Sequence, residues 1–294
     1  MQILSRVLVT NADSYLGYLV SLQLINAGFN VRGLVSDPAH DLAKDLAQHG
    51  VVLLQSDLSD SPAFRQALLQ TDGVFFYEPS LNSFDEYDIQ KHCELFDLLL
   101  ASRVSYTLYT SVGSGEHGAY FPSAKAHVKI EKHIQTIGLP HTIFRPSFFY
   151  SKFIHPPLLE MIHVGEIALP LSPKRKLQLL SEHDFAMLCS IAFSSFHRFL
   201  GKTIELASSE RSMLDVAALM TTLTAHPVRY RQIGYAEFEA SSGKDERQLF
   251  EWLETEGYRA DISFLRKELG DPQTLADYLR SINFPWFLSK AAGS

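Results

Sequence analysis

Three stretches of this 294-residue chain hold side chains whose type and spacing could do chemistry. The first is Arg6-Val7-Leu8-Val9-Thr10-Asn11-Ala12-Asp13-Ser14-Tyr15-Leu16-Gly17, an apolar run that breaks into a polar turn. The run reads as a buried strand. The residues after the turn read as an amphipathic helix with Leu16, Leu19, Val20, Leu24 and Ala27 on one face and Gly28 as its stop. A strand passing through a tight turn into a helix aims backbone N–H groups at an anion, above all a dinucleotide pyrophosphate. Such turns carry three glycines: one makes the turn, one lets the backbone approach phosphate, and one packs helix on strand. Here the three positions are Asn11, Ser14 and Gly17. Asn11 tolerates a left-handed backbone and Gly17 keeps the close packing. Ser14 adds a side chain where the pyrophosphate would lie, and Asp13 a negative charge beside it. Both also suit the role of helix cap. The expected hold on NAD or NADP is therefore weak or absent.

The second stretch centres on His127. Along a helix from about Lys125 to Ile137, His127, Ile130, Ile134 and Ile137 share one face, whereas Lys125 and Lys129 fall about 200° away at ~100° per residue. An inward imidazole suits general acid–base work, with Ser111 or Tyr120 nearby, in an isomerisation or proton transfer that needs no hydride. It equally suits a buried helix residue held by one hydrogen bond. The third is Ser111, which closes the apolar run Tyr106–Thr110 at a place where a hydroxyl can meet substrate or satisfy its own turn.

These residues need a scaffold, and strand-like and helix-like segments alternate to about residue 146. Predicted strands follow at 30–35, 51–55, 73–77, 106–110 and 141–145, with helices at about 39–49, 61–69, 84–102 and 125–137. Such alternation predicts an α/β fold, a doubly wound parallel sheet covered on both faces. Ligands of such sheets sit beyond the carboxyl ends of the strands. The positions to watch are therefore Asn11, Asp13, Ser14, Tyr15, Leu16, Gly17, Ser36, Asp57, Leu58, Glu78, Pro79 and Ser111. The expected division is a dinucleotide-binding-like domain over 1–150 and a smaller α+β lobe over 151–294, interleaved with it. That lobe holds a proline-broken stretch, a basic run at 174–176 expected to be a solvated loop, and predicted elements at 182–193, 202–206, 213–224 and 228–232 before a helical tail.

A net charge of −7 argues against direct nucleic-acid binding. No apolar run approaches the ~18 residues of a membrane span, and no signal-peptide pattern opens the chain. The two cysteines, Cys93 and Cys189, are far apart, and no histidine stands at metal-ligand spacing. A cytoplasmic or nuclear protein is expected.

Taken in order, Val7-Leu8-Val9-Thr10, Val31-Arg32-Gly33-Leu34-Val35, Asp57-Leu58, Gly73-Val74-Phe75, Gly138-Leu139-Pro140-His141-Thr142-Ile143, Arg145-Pro146-Ser147-Phe148-Phe149, Gly201–Ala207 and Pro227-Val228-Arg229-Tyr230 resemble the NmrA-like family of atypical short-chain dehydrogenase/reductases. The resemblance implies a Rossmann core, a small C-terminal lobe and a cleft between them. It also implies members that are NADPH-dependent reductases, dinucleotide sensors or co-regulators acting on other proteins. Three departures bear on redox chemistry. Two loop glycines are replaced. The arginine that clamps the 2′-phosphate in NADP-binding relatives is Ser36, followed by Asp37. The active-site lysine of reductase relatives is His127, and in the older Tyr-x-x-x-Lys pattern the pair becomes Ser123 and His127. The catalytic candidates are thus His127, Ser111, Tyr120 and Ser123, and Phe148, counted with the cofactor-binding positions, suits either a cleft lining or, more readily, aromatic core filling. The expected reading is a regulatory or sensor-type protein with a protein partner or a small ligand and no ordinary dehydrogenase activity. An NAD(P)H-dependent reductase and a non-redox isomerase or cyclase are the alternatives.

Overall fold

The computed structural model describes residues 4–56, 58, 61–78, 85–113 and 122–285. Of the positions singled out above, Asp57, Pro79 and Tyr120 lie outside the described residues, as does the side chain of Ser123.

The first half alternates as its hydrophobic pattern requires: β1 (Arg6–Val9), α1 (Tyr15–Asn26), β2 (Asn30–Val35), α2 (Asp41–Gln48), β3 (Val52–Gln55), α3 (Ser61–Leu68), β4 (Gly73–Phe76), α4 (Glu86–Ala101), β5 (Tyr106–Thr110), α5 (Pro122–Thr136) and β6 (His141–Pro146). Val7, Leu8 and Val9 are fully buried, and β4 and β5 are buried along their whole length, the unbroken apolar signature of strands covered on both faces. After β7 (Phe148–Phe149) come α6 (Leu158–His163), β8 (Glu166–Leu169), β9 (Lys176–Leu180), α7 (Glu182–Ser194), α8 (Phe196–Phe199), β10 (Thr203–Leu206), β11 (Ser209–Ser212), α9 (Met213–Thr224) and β12 (Arg229–Gln232). Four helices follow, α10 (Tyr235–Ser242), α11 (Lys244–Thr255), α12 (Ile262–Leu269) and α13 (Leu275–Ser281).

Seven strands form one sheet in the order β10-β6-β5-β4-β1-β2-β3. The chain runs outward from β1 through β2 to β3, then crosses back to β4 on the other side of β1. Order therefore reverses at β1, the place where ligands of such sheets are bound. Registers of Val9 with Phe75, Phe76 with Tyr109 and Thr110 with Phe144 bring the carboxyl ends of β1, β4, β5 and β6 to one edge. On the α3–α5 side, Phe76, Phe96 and Tyr109 pack together in the core, Phe76 and Phe96 tilted at 4.6 Å and Phe96 and Tyr109 edge to face at 5.3 Å between centroids.

Contacts divide the chain into two compact units. One takes Met1–Val112, Pro122–Arg145 and Phe185–Ile204; the other takes Gly113–Phe121, Pro146–Asp184 and Glu205–Ser294. The chain enters each unit more than once. The second unit holds a three-stranded sheet, β11-β9-β7, and a parallel pair, β12-β8. The basic run there differs from the solvated loop expected of it. Arg175 donates from Nε to the Leu253 carbonyl at 2.9 Å and from a terminal nitrogen to that of Glu256 at 2.8 Å, so it caps the end of α11, and Lys176 opens β9.

The start of α7 stores a dependence on pH. Glu182 is 2% exposed; its Oε1 accepts the Ser151 N–H at 3.0 Å, and its Oε2 has no partner among the described residues. Burial pushes its carboxyl from 4.5 up to about 7, and burial likewise pushes Asp184 from 3.8 up to about 6 although it accepts the Gln273 N–H. A carboxyl raised by folding keeps its proton longer in the folded chain than in the unfolded one. Stability is then fullest below the unfolded values and falls as pH rises through about 6 and about 7. Glu182→Gln is expected to remove a loss on the order of 3 kcal/mol between mildly acid and mildly alkaline buffer. Urea unfolding of both proteins at the two pH values checks this; equal pH slopes would contradict it.

Candidate functional site

The turn after β1 folds as its residue types allow. Asn11 stands at φ 48°, so asparagine performs the left-handed step otherwise left to glycine. Its Nδ2 and the Thr10 hydroxyl both donate to the Tyr77 carbonyl at 2.8 Å, tying the exit of β1 to that of β4. Gly17 is obligatory: a Cβ there would stand 2.2 Å from the Asn11 carbonyl oxygen. Gly33 is required for the same reason, since its Cβ would meet that of Ala12 at 2.8 Å.

Ser14 and Asp13 both spend their side chains on groups of the chain itself. The Ser14 hydroxyl turns back on the loop, donating to the Asn11 carbonyl at 2.6 Å and accepting the Gly17 N–H at 3.1 Å as the N-cap of α1. Asp13 reaches to the exit of β2, where its Oδ2 accepts the Ser36 N–H at 2.8 Å, the Ser36 hydroxyl at 2.6 Å and the Asp37 N–H at 3.3 Å. Leu16 is buried and its N–H has no partner among the described residues, so the first turn of α1 still offers a donor. Tyr15 is half-buried beside it. Arg32 is no replacement for a phosphate clamp, because its guanidinium donates to the Ala67 and Leu69 carbonyls at the end of α3. Ala27 departs from the buried face expected of it and caps α1 in solvent.

Along the edge at β5 and α5, His127, Ile130 and Ile134 are buried and Lys125 and Lys129 are exposed, as their spacing predicts. The candidates His127 and Ser111 take different partners. His127 Nδ1 shares a 2.6 Å hydrogen bond with the hydroxyl of Tyr109 inside β5. Burial, helped by the charge of His92, drives the imidazole from 6.5 down to about 3, so it is neutral at physiological pH. Burial holds the Tyr109 phenol well above its ordinary range, and that group is neutral as well. Ser111 donates to Glu131 Oε1 at 2.5 Å. Arg145, at the end of β6, grips the same carboxylate with Nε on Oε1 at 3.0 Å and a terminal nitrogen on Oε2 at 2.5 Å. Glu131 is 3% exposed, so this is a buried ion pair with a hydroxyl as third member.

Glu78, at the exit of β4, has Oε2 4.0 Å from Nε2 of His92, whose Nδ1 is 2.9 Å from the Asp88 carbonyl oxygen. Leu58 is half-buried and packs on the sheet's hydrophobic cluster. Phe148 lies in the second unit, where it pairs with Leu179 across β7 and β9 and stacks with Phe153 at 5.7 Å. No group of three metal-ligating side chains and no helix long and apolar enough to cross a membrane occurs among the described residues. Glu131 and Tyr109 are the members that sequence reasoning passed over. A signal for Glu131 was present: it stands four residues after His127, on the face that faces the sheet, where a charge demands a partner.

The model of the NmrA-like family matches residues 4–269. The chain belongs to the NmrA-like family. With its sheet order and β1 turn, it is a Rossmann-type chain of that family. It is 27% identical over 164 residues to the photosystem II assembly factor Ycf39 of Trieres chinensis, covering 53% of this chain and 51% of that protein. The chain thus spans about half the length of this curated relative. Among solved structures, NmrA, a negative transcriptional regulator in complex with NADP, superposes with a TM-score of 0.78 at 19% identity over 98% of both chains. The triphenylmethane reductase of Citrobacter sp., complexed with NADP(H), gives 0.78 at 17% identity over 94% of this chain and 99% of that one. At these identities the two structures share the fold with this NmrA-like chain.

Proposed function

We propose that this NmrA-like chain is a regulatory or sensor-type protein that carries no ordinary hydride chemistry and acts through a protein partner. The observation that carries the reading is the pairing at α5. A reductase of this fold needs a cation and a free hydroxyl beside the nicotinamide. Here the sheet-facing side of α5 offers a neutral imidazole bonded to Tyr109 and a carboxylate saturated by Ser111 and Arg145. Lys125 is exposed and Lys129 pairs with Glu86, so neither supplies the charge.

The loop fits a dinucleotide in its backbone. Asn11 makes the turn, Gly17 keeps helix and strand in contact, and the N–H of Leu16 has no partner among the described residues. Asn11 to Leu16 would hold the pyrophosphate when a nucleotide is bound, and the nucleotide would supply the signal read by the partner. Its hold is weaker than a glycine-rich turn provides, because Ser14 already occupies the Gly17 N–H. Two similar proteins, a negative transcriptional regulator and a photosystem assembly factor, bear names of regulation and assembly, which supports the same reading.

Calorimetric titration with NAD and NADPH, run beside an assay of reduced-nicotinamide oxidation with carbonyl and quinone acceptors, tests this. Binding without catalysed oxidation is the expected result. Catalysed oxidation would overturn the reading in favour of a reductase.

A further inference from the structure

The exit of β2 is built to hold an anion. Two consecutive backbone N–H groups, of Ser36 and Asp37, and the Ser36 hydroxyl converge on one point, at 2.8, 3.3 and 2.6 Å from a single oxygen. That oxygen is Oδ2 of the chain's own Asp13, brought across from the β1 turn. Its Oδ1 has no partner among the described residues, so the seat is filled from inside by a group that still offers one outward acceptor.

We infer that Asp13 selects the nucleotide: the seat takes an adenosine ribose whose 2′-hydroxyl is free, as in NAD, and turns away a 2′-phosphate, as in NADP. The position follows from general features of doubly wound sheets, in which the exit of β2 meets the adenosine ribose. The chemistry is decided here. A carboxylate only accepts hydrogen bonds, so Oδ1 suits a ribose hydroxyl and has nothing to give a phosphate oxygen. A 2′-phosphate could enter only by displacing Asp13 from its three donors, and it would then face Asp37, whose Oδ1 accepts the Ala39 N–H at 2.8 Å. Among the described residues, the cations of β2 and α2 are engaged elsewhere. Arg32, the arginine within β2, is spent on the end of α3, and Lys44 of α2 is paired with Asp41 at 3.7 Å. Asp13 is therefore a specificity-determining residue, and it also staples the β1 turn to β2.

The inference deepens the sensor reading by naming its ligand class, and it fails separately from that reading. Catalysed oxidation of NADH with an intact preference for NAD would sink the regulatory role and leave Asp13 as described. The test is calorimetric titration of the full chain and of Asp13→Thr and Asp13→Asn with NAD, NADP, 5′-AMP and 2′,5′-ADP, with melting curves to confirm folding. The wild-type chain is expected to bind NAD at least about tenfold more tightly than NADP, the scale of one lost charge-matched contact. Asp13→Thr is expected to abolish or reverse that preference and to gain 2′,5′-ADP binding. Asp13→Asn keeps an acceptor but no charge, and is expected to fall between. If the wild-type chain binds none of the four, gain of 2′,5′-ADP binding by Asp13→Thr still supports the inference, and no gain overturns it. Equal wild-type affinities, a preference for NADP, or a ratio unmoved in both folded variants would reduce Asp13 to a staple.

Discussion

Arg145→Met is expected to cost the fold about 3–5 kcal/mol, because it strands a buried carboxylate. Glu131 is among the most deeply buried charges of the chain, and two of its bonds come from the Arg145 guanidinium. Taking the guanidinium away leaves the Ser111 hydroxyl as the remaining described donor to it, and one hydroxyl does not repay the desolvation of a charge. The expected remedy separates this cause from mere loss of packing. Adding Glu131→Leu should recover most of the loss, since an apolar pair of similar volume is often as stable as a buried ion pair. Recovery stops short of complete because Ser111 then lacks its acceptor. Urea denaturation of the wild type, the single variant and the double variant measures all three. A loss below about 1 kcal/mol in Arg145→Met would mean that the pair behaves as an exposed one.

Gly17→Ala is the second large effect, expected to cost about 3 kcal/mol and to abolish nucleotide binding. The added methyl would lie 2.2 Å from the Asn11 carbonyl oxygen, 2.9 Å from its carbon and 3.0 Å from the Ala12 Cα. All three are backbone atoms of the turn, so no side chain can swing aside. The turn must open instead, breaking the Ser14 cap and the bond from Asn11 to the Tyr77 carbonyl. Gly28→Ala is the fitting control. Gly28 lies at φ 88° in open space, so alanine there meets only backbone strain, about 1 kcal/mol, and leaves the turn alone. Melting curves and NAD titration of the two variants measure the contrast; similar losses in both would show that the turn is not close-packed.

Much of the first unit was legible because its physics is local. Runs such as Val7-Leu8-Val9 and Tyr106–Thr110 are buried on both faces and need no partner to announce themselves. The inward face of α5 followed from spacing alone, with His127, Ile130 and Ile134 all buried. The second unit was harder. β7, β8, β9 and β11 hold two to five residues each, too few for a period, and their pairing is set by distant chain, as when Ser209 meets Leu179. At the site, residue types were legible and their pairings were not. Nothing near Asp13 in sequence says that its carboxylate crosses to Ser36, and nothing near Ser111 says that it turns to Glu131 and leaves His127 to Tyr109. Those choices belong to the sheet, which sets the exits of β1, β2, β5 and β6 side by side.

The decisive quantity is the protonation of His127, followed through its imidazole nitrogen resonances in isotope-labelled protein from about pH 5 to about pH 8. An imidazole that stays neutral across that range, its Nδ1 shift showing the bond to Tyr109 and its midpoint pressed toward about 3, is the expected result. A midpoint near 6.5 would put an accessible, chargeable group where reductases carry their cation, and would contradict the regulatory reading at its root.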